Sequence, residues 1–224
     1  MRILVFDIIK KMRITKFGQC CLLIEINGRR ILTDPGKFTN SQNQLQDIDL
    51  ILITHEHTDH IHTESITEIV KNNPEVQIVT NSGVGMVLTE LGLDYQVLEG
   101  NDIDELKGIS IEAFDGKHAE IFEDYGQVQN TGYFISRRLF YPGDAYTKPG
   151  REVEILALPV AGPWCKSAEA ISYAVQVNPK KAFPVHDWLL NNDGIALTYG
   201  LFENQLKAKG IEFIRLENDE TKEF

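Results

Sequence analysis

The chain has 224 residues, 42% hydrophobic and 25% charged, a balance that excludes a disordered or fibrous protein and supplies enough apolar side chain for a sizeable core. Its formal net charge of −11, with no Lys/Arg-rich block, argues against general attraction to a phosphate backbone, so nucleic acid is permitted but not favoured as a partner. Three cysteines, two of them adjacent (Cys20 and Cys21, with Cys165 distant), make no disulfide framework and point to a reduced, cytoplasmic protein.

Residues 1–17 read MRILVFDIIKKMRITKF. The apolar stretch is only about seven residues long and is interrupted by Asp7, too short to span a membrane and without a small-residue cleavage site. Met12 offers a second start. We therefore read residues 1–11 as an N-terminal extension and residues 12–224 as a single domain. Strands are predicted over 13–17, 21–26 and 30–33, with Asn27-Gly28 closing a hairpin between the last two. A polar loop over 37–47 then leads into an uninterrupted apolar run, IDLILIT at 48–54, which suits a strand covered on both faces.

From there strands and helices alternate. Helices are predicted over 63–73, 82–92, 167–177 and 196–209. Strands are predicted over 76–80, 95–98, 109–114, 131–137, 139–142, 154–158, 181–185 and 211–215. Antiparallel hairpins at one end and alternating α/β units elsewhere imply two packed sheets with helices outside.

The sharpest local signal is Thr54-His55-Glu56-His57-Thr58-Asp59-His60, directly after the apolar run. On an extended backbone His55 and His57 project to one side, and a chain turning into a helix would bring Asp59 and His60 round its first turn. Two imidazoles could then hold one ion while a carboxylate and a third imidazole hold a neighbour. Core packing gives no reason for this spacing. Three more candidates follow predicted strands: His118 after Asp115-Gly116-Lys117, Asp144 after Tyr141-Pro142-Gly143, and His186 after Phe183-Pro184-Val185. Each alone is an ordinary loop residue, but their recurrence at strand ends is not ordinary.

In this order, from about residue 13 to the end, the sequence resembles the metallo-β-lactamase superfamily, whose pattern is His-x-His-x-Asp-His followed by a His, a Gly-Asp and a final His. The resemblance implies an α/β fold, a four-layer αββα sandwich. It implies two divalent metal ions, zinc first, with manganese or iron accepted by the same donors. His55, His57 and His118 would hold one ion and Asp59, His60 and His186 the other, with Asp144 bridging. Asp34, in Thr33-Asp34-Pro35-Gly36, matches the family's buried aspartate that supports the ligands from behind, a role compatible with its place before a turn. His62 is read as non-ligating.

The implied chemistry is hydrolysis by a metal-activated water, with Asp59 as the residue that orients it or receives its proton. An ester, lactone or phosphodiester bond of a small molecule is the expected substrate, from similarity to the lactonase-like and uncharacterised hydrolase branch. Ribonuclease or β-lactamase activity on the same site, a di-iron redox protein, and metal binding without catalysis are the rival readings. Lys117, Lys148 and Lys166 lie near ligand loops but read as solvated charges. Trp164 and Trp188 are expected either at the rim of the site or in the core. Cys165 is assigned no chemistry, and nothing in the sequence specifies an oligomeric state.

Overall fold

The computed structural model describes residues 11–224. The expected extension over 1–11 thus lies outside the described residues except for Lys11, whose Nζ donates to Glu223 at 2.8 Å on the surface. Met12 is fully buried and its carbonyl accepts from the Phe224 amide at 2.8 Å.

Two seven-stranded sheets form the centre of the molecule. The first holds β1 (Arg13–Gly18), β2 (Cys21–Ile26), β3 (Arg29–Thr33), β4 (Leu50–Leu52), β5 (Gln77–Thr80) and β6 (Gln96–Val97), with β14 (Glu220–Glu223) at the edge beside β1. The second runs in the order β13 (Glu212–Phe213), β12 (Lys181–Val185), β11 (Ile155–Pro159), β10 (Leu139–Tyr141), β9 (Gln129–Ile135), β8 (Ile109–Lys117) and β7 (Ile103–Leu106). Strands β1 to β3 form the expected meander. Asn27 and Gly28 both adopt left-handed backbone (φ 55° and 74°), as a two-residue hairpin turn with the right twist requires.

Side-chain alternation builds the layers. Leu22, Ile24, Leu50 and Leu52 point between the sheets, where they meet Ile111, Tyr133, Tyr141 and Phe183. Leu23, Leu32, Ile51 and Ile53 point the other way, against Ile66 and Ile69 of α1 (Thr63–Asn72) and Val84 and Leu88 of α2 (Ser82–Glu90). Phe140, Leu156 and Leu158 likewise meet Ala170 and Tyr173 of α3 (Ser167–Val177) and Phe202 and Leu206 of α4 (Asn192–Lys207). The result is the expected four layers, αββα, and the run at 48–54 is covered on both faces as its composition required.

Differences from the sequence reading are local. The edge strands β7 and β14 were not predicted, and α4 begins at Asn192 rather than 196 because Asn191 caps it, its side chain accepting from the Gly194 amide. Among the described residues no helix is long and apolar enough to cross a membrane.

Strand direction positions the site. β1, β3 and β4 run the same way in the first sheet, and β8, β10 and β12 run the same way in the second. Their C-terminal ends therefore share an edge, and Gln19, Asp34, His55, His118, Asp144 and His186 all follow such ends.

Candidate metal centre

The segment after β4 does not enter a helix at once. The His60 and Ile61 amides donate to the His57 carbonyl at 2.8 and 2.9 Å, closing a tight turn, and α1 starts only at Thr63. Asp59 and His60 are brought round by this turn rather than by a first helical turn. The turn lies against Pro35-Gly36: the Lys37 amide donates to the Thr58 carbonyl at 2.9 Å and the His62 amide to the Pro35 carbonyl at 3.1 Å. A Cβ on Gly36 would fall 1.8 Å from the Asp59 carbonyl oxygen, so only glycine allows this approach.

Two groups of donors result. His55, His57 and His118 form one, and Asp59, His60, Asp144 and His186 the other, the ligand atoms within each lying within 4.8 Å of one another. Asp144 Oδ2 lies 2.9 Å from His186 Nε2, 3.4 Å from His118 Nε2 and 3.9 Å from His55 Nε2, while Oδ1 lies 3.2 Å from His60 Nε2. This one carboxylate thus faces both groups. Asp59 Oδ2 sits 3.6 Å from His60 Nε2 and 3.5 Å from His186 Nε2. His62 points away, its Nδ1 3.0 Å from Ser65 Oγ and its Nε2 2.9 Å from Glu64.

The imidazoles are aimed from behind. Asp34, fully buried, accepts from the Thr54 amide (2.8 Å), the Thr54 hydroxyl (2.7 Å), His60 Nδ1 (2.6 Å) and the Tyr141 hydroxyl (2.5 Å). Because the Thr54 hydroxyl gives its proton to Asp34, it accepts from His55 Nδ1 at 3.0 Å. His118 Nδ1 donates to the Ala119 carbonyl at 2.6 Å. With Nδ1 committed as donor in all three rings, each turns an Nε2 lone pair into the cluster.

Four residues complete the support, of which sequence reasoning singled out only Trp164. Gln19 Nε2 donates to Asp59 Oδ2 at 2.9 Å, and its Oε1 and carbonyl accept from the Trp188 and His186 amides at 3.1 and 2.9 Å. Asn130 holds the Gly143-Asp144 turn, accepting from the Asp144 amide at 2.9 Å and donating to the Pro142 carbonyl at 2.8 Å. Trp164, nearly buried, donates from Nε1 to Asp144 Oδ2 at 3.1 Å, and Tyr141 bonds Asp34. The only available signal was position, since Gln19 and Asn130 sit beside strand ends where a neutral amide is commonplace.

The donor set fits metal ions. His55 Nε2, His60 Nε2 and Asp144 Oδ1 face the cluster buried and without a hydrogen-bond partner, and unsatisfied buried polar atoms are costly unless something binds them. The electrostatics are divided. Burial, with the His60 charge beside it, holds His55 well below the usual imidazole range. For His60 burial opposes the charge, but the Asp144 and Asp34 carboxylates outweigh it and the group is pushed well up. His186 rises to about 9, burial again being overcome by Asp144. Asp144 is held well below the usual carboxylate range, its burial outweighed by His186 and His60. Without ions the cluster is thus a set of imidazoles and carboxylates compensating one another.

Such a sandwich, gathering five histidines and two aspartates along one edge of its sheets, defines a protein of the metallo-β-lactamase fold. Residues 13–186 match the family described as the beta-lactamase superfamily domain, and the chain belongs to that family. It is 32% identical over 194 residues to protein Rv0786c of Mycobacterium tuberculosis, covering 84% of this chain and 90% of that one. It is 23% identical over 246 residues to the UPF0173 metal-dependent hydrolase of Polynucleobacter asymbioticus, covering 93% and 85% of the two. The metallo-beta-lactamase fold protein YhfI of Bacillus subtilis superposes with a TM-score of 0.74 at 14% identity, over 96% of this chain and all (100%) of that one.

Proposed function

We propose that the chain is a metal-dependent hydrolase that cleaves an ester, lactone or phosphodiester bond of a small molecule. The position of Asp144 carries the reading: one buried carboxylate faces both donor groups, as a bridge between two ions would. In this reading His55, His57 and His118 hold one divalent ion and Asp59, His60 and His186 the other, with Asp144 shared. Zinc is the first expectation, and manganese or iron suits the same imidazole and carboxylate donors. Divalent ions so held lower the pKa of bound water towards neutrality and polarise the bond under attack. The description of the Polynucleobacter relative as a metal-dependent hydrolase supports the assignment.

The chain's own residues divide the work. Asp34 and Thr54 fix the tautomers of His60 and His55, Gln19 fixes the Asp59 carboxylate, and Asn130 with Trp164 fixes Asp144. Asp59 lines the cavity over the cluster and is only partly buried, which suits it to take the proton of the attacking water. The three free thiols support a cytoplasmic setting. We take residues 12–224 as the working domain, so a chain begun at Met12 keeps its metal content and stability.

The test is a panel of p-nitrophenyl acetate, a γ-lactone, bis(p-nitrophenyl) phosphate, nitrocefin and labelled RNA, run with and without chelator. Chelator-sensitive turnover of one of the first three supports the proposal. Turnover of nitrocefin or RNA alone moves the chain to a β-lactamase or ribonuclease, and oxygen consumption with bound iron moves it to a di-iron redox protein.

A further inference from the structure

The cavity over the cluster has a volume of about 210 Å3. Beyond the candidate ligands its walls are Gln19, Phe38, Ile121, Pro163, Trp164 and Leu189. Gln19 and Trp164 are the two with side-chain polar groups. The Gln19 amide is committed to Asp59 and to the Trp188 backbone, and the Trp164 N–H to Asp144.

No lysine or arginine of the described residues lines this cavity. Lys117 lines a separate cleft with Asp115 and Asp124, Lys148 donates to Gln176 at 3.0 Å, and Lys166 pairs with Glu169 at 3.3 Å. Lys37 Nζ lies 5.7 Å from the centre of the Phe38 ring and outside the lining, and Lys166 lines an adjoining pocket that shares Ile121, Pro163 and Trp164 with this one.

The rim carries large apolar side chains as well, beside the exposed acids Glu120, Glu123 and Asp124. Trp188 (47% exposed) stacks on Phe38, ring centres 4.0 Å apart and 6° from parallel, and Leu189 beside it is 58% exposed. Across the cavity Ile121 is followed by Phe122 and Tyr125, 67% and 73% exposed. They belong to the loop whose Gly126 lies against Ile121 and His57. Large exposed apolar side chains scattered over a surface need no explanation, but grouped around a concave site they mark what binds there.

We propose that these residues form a binding site for an uncharged apolar chain, and that the substrate is a carboxylic ester or lactone carrying such a chain on its acyl side. The proposal rests on the hydrolase reading of the cluster. The carbonyl lies over the cluster and the chain runs out between Leu189 and Ile121. Water then supplies a hydroxyl to the acyl carbon, the bond from that carbon to the alcohol oxygen breaks, and that oxygen takes the remaining proton, leaving as an alcohol from an ester or staying tethered as the hydroxyl of a ring-opened lactone. A substrate negatively charged along its chain would meet no lysine or arginine on these walls.

Two measurements on the purified full chain test this. In the first, p-nitrophenyl acetate and p-nitrophenyl octanoate are compared below the aggregation limit of the longer ester. The KM for octanoate should be lower by about tenfold or more, the factor for taking two methylenes out of water. Leu189→Ser, a change at an exposed position, should bring the two KM values together. In the second, octan-1-ol, which has no bond to hydrolyse, is titrated against the fluorescence of the two tryptophans. A saturable change is expected at least about tenfold below any response to ethanol, on the same methylene scale. Leu189→Ser should shift it to higher concentration.

Equal KM values for the two esters, or a chain-length preference untouched by Leu189→Ser, would overturn the proposal while leaving the hydrolase reading in place. If neither ester is cleaved, ester hydrolysis fails. The octan-1-ol titration then decides the site: a saturable response sensitive to Leu189→Ser upholds it, and a flat one ends it.

Discussion

Gln19 Nε2 donates to Asp59 Oδ2 at 2.9 Å while the same side chain accepts from the Trp188 amide at 3.1 Å, so one nearly buried amide joins the Asp59 turn to the loop that carries His186. Gln19→Met keeps the bulk and removes both bonds. Interactions that orient a ligand from behind are typically worth 10–100-fold in metal affinity or activity, and a loss of about that size is expected. Gln19→Glu should do worse, because it sets a second carboxylate against Asp59. Metal affinity by chelator competition, read beside kcat, checks this; two variants indistinguishable from the parent would contradict it.

Asp34 accepts four hydrogen bonds from three residues in a site with no water-facing surface. Asp34→Asn preserves shape but presents one acceptor oxygen and an amide that faces the same donors. Metal affinity should fall by about 10–100-fold. Asp34→Ala should also destabilise the fold by several kcal/mol, at about 1–3 kcal/mol for each buried donor left unpaired. Denaturant unfolding of the metal-free variants separates the two effects.

Lys16 is fully buried, its Nζ 2.5 Å from Asp187 Oδ2, and the Tyr199 hydroxyl donates to the same oxygen at 2.5 Å. Removing one partner strands a buried charge. Lys16→Met should cost about 3–5 kcal/mol in urea unfolding, and adding Asp187→Asn should return a large part of it. Additive losses in the double variant would show that the pair is not coupled.

The sequence made the layers readable where periodicity was strong. The short apolar run CLLIEI, set off by the Asn27-Gly28 turn, and the two-sided run IDLILIT gave β2 and β4. The edge strands β7 (IDEL) and β14 (ETKE) gave no such signal, because they are short and polar. β14, moreover, pairs with β1 at the opposite end of the chain. The cluster was legible because five imidazoles and two carboxylates follow strands, and folding does bring His118, Asp144 and His186 to the first group. What stayed hidden was the support. Gln19, Asn130 and the charge at Lys16 are defined by partners far along the chain, and neutral amides or a lone lysine carry no spacing that would name those partners.

Cysteine reactivity follows from burial. Burial pushes Cys20 and Cys21 well above the usual thiol range and raises Cys165 to about 11. At pH 8 little thiolate is present in the folded chain, so labelling by an aromatic disulfide reagent should be slow and should speed up as pH rises. Cys165, partly exposed, should react first, and Cys20 and Cys21 only on unfolding. Three thiols that label in the native protein as fast as in denaturant would contradict this.

The central claim is that one edge of the two sheets holds a pair of ions with Asp144 between them. Anomalous scattering from crystals of the metal-loaded protein, collected on either side of the metal absorption edge, tests it most directly. The account predicts two peaks, one enclosed by His55, His57 and His118 and one by Asp59, His60 and His186, each within bonding distance of Asp144. A single peak, or none beside Asp144 in protein that turns substrate over, would contradict it.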